Sequence, residues 1–291
     1  MCHTCPTSIQ RPLPLPSNLP TRPPGYSAPG GRAYAPVADR GTCSSRGSNW
    51  PTAARSAVST TASPPPTTGR HWIQYPGYNG GSDWGGIAVD PRRGVIVANY
   101  NDMPKHNILV PREKANEMGW APRDEARGDA GGAEGAGDPQ QGTPFAIDVN
   151  AGWRMPVTQL LCKEPPYGGI RAIDLATGEL LWDRPFGTAR RNGPFGIPSM
   201  LPIVIGTPNN GGSAVTAGGL VFIAAATDNL IRAIDIETGE TVWSDVLPAG
   251  GQANPMVYEA GGRQYLVIMA GGHHFMETPI GDYVIAYALP Q

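Results

Sequence analysis

Short runs of apolar and β-branched residues alternate with glycine, proline and polar turns from residue 85 to the end of the chain. Such runs, bounded by turn residues, are typical of β-strands joined in hairpins. The segments that fit this pattern are 85–90, 94–100, 170–175, 179–186, 213–217, 220–226, 230–236, 240–247, 255–260, 264–270 and 282–289. The pattern therefore predicts an all-β fold.

One twelve-residue phrase occurs twice, as RAIDLATGELLW at 171–182 and RAIDIETGETVW at 232–243, with eight identical positions. Each copy predicts a hairpin: a strand ends at an aspartate that accepts turn amides, a glycine takes positive φ, and a tryptophan lies on the return strand. An indole there can wedge between neighbouring sheets and bury a large area. The residues predicted to have these structural roles are Asp174 and Asp235, Gly178 and Gly239, and Trp182 and Trp243.

Grouping the strands by fours predicts one sheet between residues 85 and 186 and a second between 213 and 247. The strands from 255 to 289 give a third sheet with only three strands. Four-stranded units with a tryptophan near the end are typical of β-propeller blades. Because three blades do not close a ring, the sequence predicts a partial propeller of about three blades, the carboxy-terminal portion of a larger one.

Residues 1–70 differ in composition from the rest. They hold 13 prolines, seven arginines and one acidic residue, and they show no hydrophobic period. Such a segment buries too little apolar surface to offset the entropy of ordering, so we expect a disordered or non-native leader. The remaining part, 71–291, carries a formal charge of −8.

Charge and hydropathy exclude several classes of partner and location. A net charge of −2 gives no reason to expect nucleic acid or an anionic membrane as a partner. No apolar run reaches the roughly 18 residues that span a bilayer, and no basic patch followed by an apolar core opens the chain. The sequence therefore predicts neither a transmembrane segment nor a signal peptide in this chain.

The four cysteines predict no redox or metal site. Cys2, Cys5 and Cys43 lie in the leader, where no strand or helix pattern frames the C-x-x-C pair. We expect Cys162, which stands apart from them, to be a small buried or loop thiol.

The segment 101–169 is a long insertion inside the first predicted sheet, rich in glycine, proline and charge. It predicts one short helix around Arg112–Met118. A lid or docking element is one interpretation of a loop of this length, and a solvated insertion is the other.

Several phrases resemble one family in particular. The paired A-x-D-x-x-T-G-x-x-x-W hairpins resemble the tryptophan-docking motifs of quinoprotein dehydrogenases, which are eight-bladed propellers that bind pyrroloquinoline quinone (PQQ). YPGYNGGSDWGGIAVDP, LPAGGQANPMVYEAGGRQYLVIMAGGHH and GDYVIAYALP are similar to the membrane-bound glucose, quinate and shikimate dehydrogenases. The resemblance covers residues 73–290.

The resemblance implies oxidation of a sugar or cyclic polyol by hydride transfer to PQQ, with Ca²⁺ or Mg²⁺ as Lewis acid and an aspartate as general base. It implies that electrons pass to ubiquinone, helped by an amino-terminal membrane portion, at the periplasmic face of the bacterial inner membrane. The family's catalytic aspartate, most of its metal ligands and its transmembrane helices match sequence upstream of this region. We therefore identify no catalytic or metal-binding residue here, and expect a carboxy-terminal fragment that lacks the general base and the membrane portion.

The resemblance does place part of the cofactor wall in this chain. Asn99 matches an asparagine beside PQQ, although a strand-end turn asparagine is the alternative. Asn210 and Gly211 match a stretch that enters the central funnel, where glycine would let backbone amides approach the PQQ carboxylates. Asp228 is either a pocket residue or a turn cap.

The A-G-G-H-H loop supplies the remaining candidates. In relatives it lies over the mouth of the site, which makes Gly272 and His273 candidate cofactor contacts and His273 and His274 candidate contacts for substrate hydroxyls. A structural or solvated histidine is the alternative. We expect Trp84 to be a packed aromatic residue rather than a contact.

A second function class stays open at this stage. The same hairpins build propellers without catalysis, so a PQQ-like-repeat scaffold that binds protein partners is the alternative to the dehydrogenase. The A-G-G-H-H loop and the GDYVIAYALP ending favour the enzyme.

Overall fold

The computed structural model describes residues 10–12, 69, 71–75, 77, 81–120, 142–152, 154–273 and 276–289. They belong to two compact units. The described part of the first lies in Gln10–Pro12, Gly81–Asp102 and Pro165–Gln291, and that of the second in residues 71–77 and Met103–Glu164.

The described residues form mainly β-strands. In chain order these are β1 (Gln10–Pro12), β2 (Trp72–Gln74), β3 (Ile87–Asp90), β4 (Val95–Asn101), β5 (Lys105–Pro111), β6 (Phe145–Ala151), β7 (Gly168–Asp174), β8 (Leu180–Pro185), β9 (Ser213–Val215), β10 (Leu220–Ile223), β11 (Leu230–Asp235), β12 (Thr241–Val246), β13 (Met256–Ala260), β14 (Arg263–Ala270) and β15 (Tyr283–Ala288). One α-helix, α1 (Arg112–Glu117), lies among these residues, with short 3₁₀ turns at Ala189–Arg191 and Pro194–Gly196.

The first unit contains three four-stranded sheets. Their strand orders are β3-β4-β7-β8, β9-β10-β11-β12 and β13-β14-β15-β1. All pairs are antiparallel except β1 with β15. The predicted all-β fold of propeller-like sheets is confirmed, and every strand predicted between residues 85 and 289 is present with bounds shifted by three residues at most.

The third sheet differs from the prediction. The sequence predicted three strands there, but Gln10–Pro12 adds a fourth, parallel to β15. A three-residue edge strand pairs through main-chain groups, so it needs no alternation of apolar side chains that a sequence pattern could reveal. The other residues of 1–70, apart from Gly69, lie outside the described residues, and the leader remains a prediction.

The middle sheet is buried on both faces. In β10, Val221 and Ile223 face a core shared with the first sheet, while Phe222 and the following Ala224 face a core shared with the third. Successive side chains of a strand point to opposite faces, which places these neighbours in two different cores. The three sheets therefore stack face to face through two apolar layers.

The repeated phrase forms the joint between the first two sheets. Trp182 on β8 is buried, and its indole nitrogen donates to the Ile236 carbonyl at 2.8 Å, in the second copy of the phrase. Asp174 and Asp235 accept the amides of the turns that follow them, at 2.8–3.0 Å. The first copy thus docks its tryptophan onto the turn of the second.

Trp243 occupies the equivalent place one sheet later. It packs edge-on against Tyr287 of the third sheet, with ring centroids 5.3 Å apart. The Tyr287 hydroxyl donates to Asp245 on β12 at 3.0 Å. Both indoles therefore lie between neighbouring sheets.

The second unit shows what the insertion builds. β2, β5 and β6 form an antiparallel sheet, and α1 packs on it through Ala115, next to Val110 and Ala146. The predicted helix is present one residue shorter. The insertion is thus more than a solvated loop. The expectation of a thiol at Cys162 is wrong, because this cysteine is disulfide-bonded.

The two repeat glycines provide a matched test of indole docking. Gly178 and Gly239 have the same positive φ of 73°, but a Cβ on Gly178 would meet nothing within 4 Å, whereas one on Gly239 would lie 2.7 Å from the Trp182 ring. We expect Gly178→Ala to cost about 1–2 kcal/mol for the left-handed backbone alone. Gly239→Ala should cost about 1–3 kcal/mol more because the indole must move.

Urea unfolding of the two single variants measures this difference. Trp182 fluorescence should shift only in Gly239→Ala. Equal free energies of unfolding for the two variants would contradict the docking role of this turn.

Acid sensitivity should arise at the β3–β4 turn. Asp90 is buried; burial by itself raises the pKa of its carboxyl, but the Arg93 side chain and the amides of Arg93 and Arg92 outweigh it and hold the pKa below its usual value. A lowered folded pKa contributes stability that is present above the unfolded value of about 3.9 and lost as the pH falls through the folded pKa.

We therefore expect Asp90→Asn to cost about 1–3 kcal/mol at pH 7, with the difference from wild type shrinking below about pH 4. Unfolding at several pH values checks this. Glu259→Gln, which removes an exposed carboxylate of β13, is the control and should show no such trend. A cost of Asp90→Asn that stays constant down to pH 3 would disprove the assignment.

Candidate cofactor site

Four glycine-rich loops of the first unit meet beside the ends of β4 and β9. They are residues 81–86, 209–212, 249–252 and 271–273. The Gly85 amide donates to the Asn210 carbonyl at 3.1 Å, and the Gly272 amide donates to the Gly250 carbonyl at 2.8 Å. The Asn210 amide donates to the Gln252 side chain at 3.3 Å, which joins the two pairs.

Strand alternation sets which side chains of β4 reach this place. Val95 and Val97 face the core shared with the second sheet, so Asn99 and Asn101 continue the same face. Both are buried, with 3% and 2% of their surface exposed. Buried asparagines require partners for both amide atoms, and the second sheet's leading loop supplies most of them.

Tyr100 lies between these asparagines and points to the opposite face. Its hydroxyl donates to Asp183 at 2.8 Å, and the Arg171 guanidinium lies 3.8 Å from the ring centroid. Burial raises the pKa of Tyr100 to about 12; the Asp183 carboxylate adds to this rise, and the Arg171 guanidinium opposes it. This face of β4 therefore carries a neutral phenol engaged with its neighbours, apart from the asparagine cluster.

Hydrogen-bond directions fix the orientation of the Asn99 amide. The Asn209 side-chain nitrogen donates to the carbonyls of Tyr100 and Thr207, both at 3.1 Å, so Asn209 Oδ1 must accept. It accepts from Asn99 Nδ2 at 2.7 Å, and the second hydrogen of that nitrogen goes to the Gly211 carbonyl at 2.8 Å. Both donor positions of Asn99 are therefore used within the protein.

The remaining atom of that amide is an acceptor. Asn99 Oδ1 is buried and has no hydrogen-bond partner among the described residues. Leaving a buried oxygen unsatisfied costs about 1–3 kcal/mol, unless a ligand supplies an N–H, an O–H or a cation. The site thus offers a ligand an amide oxygen here, whereas the sequence alone left the donor and acceptor roles open.

Two residues of this cluster were missed by the sequence analysis. Asn101 accepts from the Asn209 amide at 2.7 Å and donates to the Asn209 carbonyl at 2.9 Å. This pair fastens β4 to the loop that carries Asn210 and Gly211. The spellings N-Y-N and P-N-N were the available signals, but asparagine is so common in turns that neither pointed to pairing.

Asn210 and Gly211 are held between two other loops. Hydrogen bonding orients the Asn210 amide so that its nitrogen donates to Asp83 Oδ2 at 3.2 Å and to the Asn209 carbonyl at 3.0 Å. A Cβ on Gly211 would lie 2.7 Å from the Gln252 carbonyl oxygen. Glycine is therefore required by the close approach of protein backbone, in addition to any ligand.

Asp228 is completely buried and its carboxylate is saturated by protein donors. Thr188 donates through its amide at 2.8 Å and its hydroxyl at 2.9 Å, and the Leu230 amide donates at 3.1 Å. Arg232 forms an ion pair with the same carboxylate. These bonds match the turn-cap interpretation and leave little capacity for a cofactor contact.

The A-G-G-H-H loop brings the half-buried His273 close to Trp84. Gly272 has a φ of 74°, and the His273 amide donates to Thr278 at 2.8 Å, which folds the loop back on itself. The His273 ring lies 6.2 Å from that of Trp84. His274 lies outside the described residues.

The expectation that Trp84 is packed is wrong, because 62% of its surface is exposed. Its amide donates to the Asp83 carboxylate at 2.7 Å, and the two glycines that follow let the loop turn against residue 211. An exposed indole beside a histidine is available for stacking or apolar contact with a bound molecule.

The structure therefore joins Asn99, Asn210 and Gly211 directly, and links Gly272 and His273 to them through residues 250–252 and Trp84. Asp228 is engaged elsewhere. Among the residues that the structure describes, no cluster of three or more His, Cys, Asp or Glu side chains could hold a metal ion. No described helix has the length and apolar character that crossing a membrane requires.

Comparison with known proteins gives one family. Residues 38–266 match the model of the glucose/ethanol/alcohol dehydrogenase β-propeller domain that is named for PQQ. The chain is 58% identical over 229 residues to a glycerol dehydrogenase large subunit of Gluconobacter oxydans, covering 78% of this chain and 31% of that protein.

Two further relatives have other named substrates. The chain is 43% identical over 218 residues to the quinoprotein glucose dehydrogenase of Escherichia coli, covering 75% of this chain and 27% of that protein. It is 41% identical over 222 residues to a probable quinate dehydrogenase of Xanthomonas campestris, with the same two shares.

The chain thus spans less than a third of the length of these relatives. The match to the family model nevertheless covers more than half of the chain and includes the repeated hairpins and most of the candidate site. This chain belongs to the PQQ-dependent dehydrogenase β-propeller family.

Proposed function

We propose that the chain is part of a dehydrogenase that oxidises a hydroxyl group of a polyol or sugar and passes the electrons to ubiquinone at the periplasmic face of the inner membrane. Family membership supports the reaction class. The three relatives named above are called glycerol, glucose and quinate dehydrogenases, and all three compounds carry several hydroxyl groups. The amino-terminal membrane portion remains an expected partner.

The observation that carries the proposal is the buried, unsatisfied Asn99 oxygen among the asparagines. PQQ has one pyrrole N–H and is paired with Ca²⁺ or Mg²⁺ in this family, and either the N–H or the cation suits an amide oxygen. We infer that Asn99 Oδ1 contacts one of them, held in register by Asn209 and Gly211. When bound, PQQ supplies the two-electron oxidation of the alcohol.

The residues around this oxygen bind and orient rather than transfer protons. Asn210 is proposed to line the cofactor beside Asp83, with Gly211 and Gly272 allowing the surrounding backbone to come close. Asp228, also a candidate contact, is proposed to act through Arg232 and Thr188 by fixing the loop that precedes β11. No general base is identified in the described part of this chain.

His273 and Trp84 are proposed to meet the substrate. The imidazole can donate to or accept from a hydroxyl, and the indole offers an apolar surface to the carbon side of a polyol ring. The His273 loop is shaped by the Thr278 contact and by Gly272. The Trp84 loop is held separately by the Asp83 carboxylate and by the Gly85 amide, which donates to the Asn210 carbonyl. His274 is proposed to share this role.

The first test is reconstitution of the purified chain with PQQ and Ca²⁺, followed by absorbance titration and by dye reduction with glycerol, glucose and quinate. We expect saturable PQQ binding that chelation of the cation weakens. If the chain neither binds PQQ nor reduces dye, the non-catalytic propeller that serves as a protein scaffold is the better description.

The second test concerns Asn99. We expect Asn99→Ala to weaken PQQ binding about tenfold, since leaving a buried polar group of the ligand without its partner costs about 1–3 kcal/mol. Asn150→Ala, which removes a turn amide in the second unit, is the control and should leave affinity unchanged. Equal effects of the two variants would remove the case for a direct contact.

The third test separates substrate from cofactor. His273→Ala should raise KM for the best alcohol about tenfold while the PQQ dissociation constant changes little, because only a hydroxyl contact is lost. His273→Asn should recover part of the loss. His71→Ala, in the second unit, is the control. A matching loss of PQQ affinity in His273→Ala would instead assign this histidine to the cofactor.

A further inference from the structure

An exposed apolar loop of the first unit contains none of the residues of the polar cluster described above. We call residues 193–204 the apolar loop. Its large side chains are between 50% and 64% exposed; they are Phe195, Ile197, Met200, Leu201, Ile203 and Val204. Contiguous exposed apolar residues on a folded surface are uncommon unless they meet a partner or a membrane.

The loop is held in place by its own hydrogen bonds. The Ala189 amide donates to the Ile203 carbonyl and the Met200 amide to the Arg190 carbonyl, both at 2.8 Å. Ser199 donates to the Ala189 carbonyl, and Thr188 pairs with Val204. The backbone is therefore tied to the 3₁₀ turn at its base, and the apolar side chains are displayed by an ordered segment.

Charge is distributed unevenly around this loop. Residues 184–227 contain three arginines and no acidic residue, although residues 71–291 together carry −8. Arg190 and Arg191 lie in the 3₁₀ turn at the base of the loop. Within the acidic part of the chain, residues 71–291, this acid-free, arginine-bearing apolar segment has charge complementarity to an anionic surface.

The backbone of the loop is also suited to an apolar environment. Pro194, Pro198 and Pro202 recur every four residues and carry no N–H group. Each unpaired backbone donor costs free energy when it leaves water, so three fewer donors lower the cost of burying this segment. The sequence thus combines apolar side chains, missing donors and flanking cations.

We propose that the apolar loop is a peripheral membrane contact that binds the surface of an anionic phospholipid bilayer. Phe195, Ile197 and Leu201 enter the boundary between headgroups and acyl chains, and Arg190 and Arg191 pair with phosphates. The proposal goes beyond the dehydrogenase reaction and needs no cofactor. A protein partner is the competing occupant, but it gives no reason for the absence of acidic residues over 44 positions.

Vesicle co-sedimentation tests the proposal on the purified chain. The vesicles are pure phosphatidylcholine or phosphatidylcholine with about one third phosphatidylglycerol. We expect binding to the anionic vesicles that falls in high salt, because screening weakens the arginine contribution. Absence of binding, or equal binding to both vesicles at any salt concentration, would overturn the anionic-membrane assignment.

Matched variants identify the surface. Phe195→Ser/Ile197→Ser/Leu201→Ser should reduce vesicle binding at least about tenfold, since burial of these apolar side chains in the bilayer boundary is lost. Its control is Met256→Ser/Met269→Ser/Val284→Ser, which removes equally exposed apolar residues from the third sheet. Equal losses in the two triple variants would disprove the role of the loop.

Single arginine variants test how much positive charge contributes to vesicle binding. Arg190→Ser and Arg191→Ser should each weaken binding about fivefold, the effect of one cation near an anionic surface. Arg92→Ser, an exposed arginine of the β3–β4 turn, is the control. Thermal unfolding of every variant confirms folding, and PQQ affinity should not change, so failure here is distinct from failure of the dehydrogenase proposal. Membrane binding that is unchanged in the triple apolar variant and in the two arginine variants would refute the assignment.

Discussion

The docking of Trp182 onto the turn of the next sheet is the contact on which the rest of the first unit depends. The buried indole fills the seam between two sheets, and its nitrogen finds the Ile236 carbonyl at 2.8 Å, so no polar atom is left unsatisfied there. Register along this seam also places β4 beside the loop that precedes β9. Asn99 can meet Asn209 and Gly211 only because the two sheets are fixed against each other in this way.

Hydrogen-bond direction then carries information from the scaffold to the site. Two main-chain carbonyls orient Asn209, which orients Asn99, which leaves one acceptor without a partner among the described residues. In a core this arrangement is unfavourable, since each buried unsatisfied oxygen destabilises the fold. It becomes favourable where the N–H group or cation of a ligand binds the Asn99 oxygen, so the same unsatisfied acceptor destabilises the free protein and binds the ligand.

The strands and the seam could be predicted from the sequence because their signals are periodic. The alternation of Val221, Phe222 and Ile223 follows directly from a sheet buried on both faces, and the two TG turns mark equivalent hairpins. Gln10–Pro12 could not be found this way, since parallel edge pairing uses only main-chain groups. Asn101 and Asn209 were missed for a related reason: their pairing spans 108 positions, and asparagine has no local pattern that distinguishes a buried partner from a turn residue.

Trp84 and the apolar loop are also places where the sequence alone predicts the wrong environment. A tryptophan and a run of apolar residues are expected to be buried, yet here both are exposed and both lie on ordered backbone. Local preference and observed environment therefore disagree at three places: a buried acceptor, an exposed indole and an exposed apolar loop. Natural sequences tolerate such disagreement mainly at places that bind a ligand or a surface. A ligand N–H or cation would satisfy the buried Asn99 oxygen, a bound molecule would cover Trp84, and a bilayer would cover the apolar loop.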